Sequence, residues 1–174
     1  RIPAVSSVTN HSLNKSQLYI AKALFAKGDY NTAIDELLIV LNAARDVHGA
    51  EAQYLLGEIY YLQKNHQQSL ETLYDLNKTF GAYDYWLGKS FLLIADNFVA
   101  LEEYFQAKET LKSVVEKSAE AEIIELAKSK LLELETIEAD LLQVESAKDS
   151  LVEDTPQPAP DSTSIEQKNE VKEQ

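Results

Sequence analysis

Three segments of this chain align with one another without a gap, and that constrains the fold more than any other feature. They are residues 18–34, 54–70 and 92–108. In each, a small residue (Ala21, Gly57, Ala95) follows an aliphatic one (Ile20, Leu56, Ile94). A large apolar residue comes three positions later (Leu24, Tyr60, Phe98), and a second small residue opens the next segment (Ala33, Ser69, Ala107). The register moves 36 residues from Ala21 to Gly57 and 38 from Gly57 to Ala95. A unit of this length cannot bury its apolar face alone, so successive copies must stack on one another.

The rest of the pattern is helical. From Leu13 to about Lys148 apolar residues recur at steps of three and four. The pattern breaks at Gly28-Asp29, His48-Gly49, Lys64-Asn65, Phe80-Gly81 and Leu101-Glu102-Glu103. Short turns between helices of this length make neighbours antiparallel. Five Gly and four Pro are too few for a sandwich or barrel, and Cys is absent, which excludes disulfides, thiolate zinc sites and Cys nucleophiles. An all-α chain is expected. Residues 1–12 are polar and read as a linker. Residues 119–148 lack Gly and Pro, and Ile123, Ala127, Leu131, Leu134, Ile137, Leu141 and Val144 mark one stripe along them. Residues 149–174 carry Pro156, Pro158 and Pro160 and a charged run, a composition that predicts disorder.

With these residues in view, the chain resembles the tetratricopeptide repeats, whose unit is a helix–turn–helix with small residues where the two helices cross. The resemblance implies a superhelical α-solenoid of three hairpins, at about 14–49, 50–87 and 88–118, closed by a capping helix at 119–148. Gly28 takes the turn inside the first hairpin, with Tyr30 packing back on it. In the next two copies the turn position holds Lys64 and Glu102. The extra residues per repeat predict longer loops between hairpins. Residues 50–61 and 84–88 resemble the ends of long exported repeat proteins of bacterial envelopes. That implies a periplasmic or outer-membrane-associated protein, with the cytoplasm as the alternative. The chain begins Arg1-Ile2-Pro3 and contains no Met, so it reads as a fragment or processed product.

Charge and motifs narrow the function. Net charge is −13, and the acid accumulates toward the C-terminus. Such a chain repels nucleic acid and anionic membrane surfaces. The longest apolar runs, such as residues 91–95, are too short to span a bilayer. No phosphate loop, GxSxG or His-Glu-x-x-His occurs, and His11, His48 and His66 are too widely spaced for a local metal motif. No catalysis, cofactor or metal is therefore expected, and His48 and His66 read as structural.

The first helix of each repeat, by the resemblance, lines a groove that holds a protein or peptide partner. The groove residues are Lys22 and Phe25, then Tyr54, Glu58 and Tyr61, then Lys89, Leu92 and Asp96. Tyr54, Tyr61 and Phe25 are the expected contacts, with Lys22 and Lys89 free for acidic or C-terminal groups. A carboxylate clamp of the kind some relatives use is excluded, because Glu58 stands beside the ligand position. Phe80, Tyr83, Tyr85 and Trp86 read as a seal over the junction between the second and third repeats. The function expected is a non-catalytic interaction scaffold, part of a larger repeat protein or envelope complex. The alternative is an accessory domain of an enzyme encoded upstream. Self-association through the last helix is a further expectation.

Overall fold

The structure is a computed structural model that describes residues 5–152, with side chains described from 11 to 144. Seven helices occupy the described residues, with no strand among them. They are α1 (Val5–Ala26), α2 (Tyr30–Ala43), α3 (Val47–Leu62), α4 (His66–Thr79), α5 (Asp84–Ala100), α6 (Tyr104–Lys117) and α7 (Ala121–Val152). Each helix from α1 to α5 packs on its successor, and α3 also touches both α1 and α5. The arrangement is an α-solenoid of three hairpins, α1–α2, α3–α4 and α5–α6. One compact unit ends at Glu138 and a second begins at Ala139, within α7.

The small residues sit where the repeat pattern demands. Ala21, Ala33, Ser69, Ala95 and Ala107 have at most 1% of their surface exposed, and Gly57 is buried with them. A Cβ added at Gly57 would stand 2.8 Å from the Leu73 side chain on α4, and one at Gly88 2.8 Å from Ile123 on α7. The absent side chains thus set the helix spacing.

The three turns within hairpins share one geometry. At each, the left-handed residue donates to the carbonyl three positions back, and its successor donates to the carbonyl five back. The first turn runs Gly28 to Phe25 (2.9 Å) and Asp29 to Leu24 (3.0 Å). The others run Lys64 to Tyr61 and Asn65 to Tyr60, then Glu102 to Val99 and Glu103 to Phe98. This pairing satisfies the last helical carbonyls and requires positive φ at its pivot. The values are 77° at Gly28 and 61° at both Lys64 and Glu102.

Two expectations are revised. The extra residues per repeat lengthen first helices rather than loops. Helices α3 and α5 have 16 and 17 residues, whereas α2, α4 and α6 have 14 each. Only residues 44–46 and 80–83 join the hairpins. Residues 5–12, read as linker, form the first turns of α1, and residues 149–152 close α7. The remainder of the tail expected to be disordered lies outside the described residues.

Two cores result. The larger joins α1 to α5 and includes Leu37, Ile59, Leu73, Leu76 and Ile94. The smaller brings Leu92, Ala95, Leu111 and Val114 under Ile123 and Ala127 of α7. The start of α7 therefore covers the last hairpin, as a solenoid end requires.

Candidate functional site

The first helices α1, α3 and α5 stand side by side and join through side chains that reach from one element to the next. Lys22 Nζ on α1 meets Glu51 Oε1 on α3 at 2.5 Å. Lys89 Nζ on α5 lies 4.8 Å from the ring centroid of Tyr54 on α3, a cation–π placement. Lys89 also acts electrostatically on Glu58. Lys130 Nζ of α7 meets Asp96 Oδ1 of α5 at 2.7 Å. The face is thus a row of alternating charges in which the cations contact their neighbours.

Burial sets the titration of this row. The Glu58 carboxyl is pushed above its ordinary value, first by burial, with the Lys89 charge opposing. Burial likewise raises the Tyr61 hydroxyl, and the Asp96 charge adds to it. Tyr54 is driven far above the usual phenol range by burial and then by Glu58 and Asp96.

The expected groove residues divide by accessibility. Lys22 is exposed, and Phe25, Glu58, Tyr61, Lys89 and Asp96 are half-buried. Phe25 packs on Tyr30 with ring centroids 5.8 Å apart, and Tyr61 packs edge-on against His66 at 5.5 Å. Two assignments are corrected. Tyr54 is only 6% exposed, because Trp86 stacks on it at 5.4 Å. Leu92 is 4% exposed, because it turns into the core under α7. Neither presents a free surface. Lys22 and Lys89 are engaged as well, so a ligand must share them with Glu51 and Tyr54 rather than find them free.

The aromatic cluster lies at the junction where the sequence puts it. Phe80 is buried, Tyr83 packs on it at 6.3 Å, and Tyr85 stands edge-on to Trp86 at 5.2 Å. Trp86 carries the cluster onto Tyr54 and so ties the third repeat to the second. Gly49 makes room for Phe80, whose ring lies 2.7 Å from where a Cβ would be.

Beneath the face runs a polar chain that sequence reading did not single out. Ser69 Oγ donates to the Gly57 carbonyl (2.8 Å). The buried Asn97 amide donates to Ser69 Oγ (2.9 Å) and to the Leu93 carbonyl (2.8 Å). Its oxygen is then the acceptor, so His66 donates from Nδ1 at 3.0 Å. His66 is a structural residue of this chain, which links α3, α4 and α5. No signal short of the fold could have found Asn97, since its partners lie 28 and 31 residues away.

Two further features lie apart from the face. A cleft of about 470 Å³ opens between α5, α6 and the link that follows α6, lined by Leu87, Phe91, Val114, Lys117 and Ser118. At the α2–α3 corner, His11, Asp46 and His48 come together although the sequence separates His11 from the other two. The absence of a local His motif did not foresee this grouping.

Residues 51–81, which span most of α3 and all of α4, match the family model of the tetratricopeptide repeat. No curated protein matches the chain. The matched hairpin has one of like turn and like small-residue crossing on either side of it, so the chain contains a tetratricopeptide repeat within an α-solenoid of three similar hairpins.

Proposed function

We propose that this protein is a non-catalytic scaffold that holds a protein or peptide partner on the face formed by α1, α3 and α5. Tetratricopeptide repeats mediate protein–protein interaction, which supports the scaffold role. The observation that carries the choice of face is the direct contact of α3 with both α1 and α5. It makes one continuous surface from three repeats, with Leu62, Phe25 and Tyr61 as its apolar contacts and Lys22, Glu58, Lys89 and Asp96 as its polar ones. Because its charges alternate and are largely paired, the favoured partner is an extended segment of mixed polarity rather than a strongly charged one.

A place in a larger repeat protein or envelope complex rests on the resemblance of residues 50–61 and 84–88 to exported repeat proteins. Among the described residues no helix is long and apolar enough to cross a membrane. The test of the scaffold reading is affinity recovery from the source organism with two variants. Leu62→Asp alters the face at a site 47% exposed, and Phe105→Asp alters α6 at a site 73% exposed. A partner recovered by the wild type and by Phe105→Asp, and lost with Leu62→Asp, supports the reading. Equal recovery by both variants overturns it.

A further inference from the structure

The α2–α3 corner gathers three side chains that share one chemistry. Asp46 is the N-cap of α3, and its Oδ1 accepts from the His48 backbone N–H at 3.0 Å. Its second oxygen, Oδ2, is 2.9 Å from His11 Nδ1, on α1. The His11 and His48 rings lie 4.8 Å apart, tilted by 43°. One ligand atom from each of the three residues falls within 4.8 Å of the others. Neither imidazole is needed for the core, since His11 is more than half exposed and His48 is only partly covered.

We propose that His11, Asp46 and His48 form a surface site for a borderline divalent transition metal, with Zn²⁺ as the fitting ion. Zinc takes imidazole nitrogen at about 2.0–2.1 Å and carboxylate oxygen at about 2.0–2.2 Å. Ligands sharing one tetrahedral ion therefore stand about 3.3–3.5 Å apart. Asp46 Oδ2 and His11 Nδ1 need to widen only slightly, with the ion replacing the proton now held between them. His48 must swing inward by up to about 1.5 Å to reach zinc distances, a movement open to a ring that is only partly covered. Two nitrogens and one oxygen suit zinc over magnesium or calcium, which favour all-oxygen sites. The exposed side leaves a fourth position for water.

Surrounding charge permits the ion. Arg45 is the cation next in sequence, and its guanidinium is turned onto the Leu41 and Ala44 carbonyls at the end of α2. The positive end of the α3 dipole opposes a cation, and the Asp46 carboxylate stands between the two. A bound ion would join α1 to the start of α3, fixing the first repeat against the second. The site is separate from the α1–α3–α5 face and its existence does not depend on the scaffold reading.

The test is calorimetric titration of ZnCl₂ into the chelator-treated full chain, with MgCl₂ in parallel and proton NMR of the three His rings. The expected result is one zinc per chain, no magnesium binding, and perturbed resonances for His11 and His48 but not for His66. His11→Ala and His48→Ala should each weaken zinc binding by about tenfold or more. The melting temperature of the wild type should rise with zinc and that of the variants should not. No binding at millimolar zinc, equal binding by both variants, or equal perturbation of His66 overturns the proposal.

Discussion

Lys64 and Glu102 hold one backbone state that neither side chain favours: φ is +61° at both, at the pivot that Gly28 fills in the first hairpin. The left-handed conformation costs a residue with a Cβ about 1–2 kcal/mol, and glycine returns part of that in unfolded-state entropy. Lys64→Gly and Glu102→Gly should each stabilise the protein by about 0.5–1 kcal/mol, read as a higher urea midpoint at unchanged slope. Gly28→Ala should destabilise although nothing lies within 4 Å of the added Cβ, because φ there is +77°. Unchanged midpoints in all three would show that the turn geometry carries no strain.

Gly57 should tolerate no large side chain. Its missing Cβ would lie 2.8 and 2.9 Å from Leu73 Cδ2 and Cγ, in the middle of the α3–α4 crossing. Gly57→Leu should cost about 1–3 kcal/mol or more through overpacking. Equilibrium denaturation measures it, and a wild-type midpoint would place the helix crossing elsewhere.

Asn97 is expected to be a stability residue. Truncation to Ala leaves Ser69 Oγ and His66 Nδ1 without the amide that joins them. The loss should be about 1–3 kcal/mol, the usual cost of orphaned buried polar groups. A change below about 0.5 kcal/mol in the same denaturation assay would mean that water replaces the amide without penalty.

Glu58 gives the pH dependence its sign. Its folded value is raised by burial, so ionisation is harder in the native state than in the unfolded chain. Below the ordinary carboxylate range both states are neutral, and Glu58→Gln should leave stability unchanged. As pH rises through that range the unfolded chain ionises first, and the wild type loses stability until the raised folded value is passed. At pH 7 Glu58→Gln should melt higher by up to about 2 °C, a small gain because solvent screens a half-exposed group. A lower melting temperature at pH 7 would show that attraction to Lys89 outweighs burial.

The scaffold was legible in the sequence because close helix crossings tolerate few residue types. Ala21, Gly57 and Ala95 could be aligned without the fold, and they all prove buried. The turn position was equally visible, since Gly28, Lys64 and Glu102 occupy one register. The surface was harder to read. A first-helix stripe names candidates for the face, but what covers each is decided by residues far along the chain. Trp86 closes over Tyr54, and α7 closes over Leu92. The His11–Asp46–His48 group is nonlocal in the same way. Only the packing of α1 beside the start of α3 brings it together.

The scaffold reading meets its most direct test in site-specific photocrosslinking inside the source organism. A benzophenone amino acid replaces Leu62 on α3 in one strain and Phe105 on α6 in another, both sites being open to solvent. Irradiation at position 62 should give one discrete adduct with a second protein, and position 105 should give none. An adduct from position 105 alone, or none from position 62, would contradict binding on the α1–α3–α5 face.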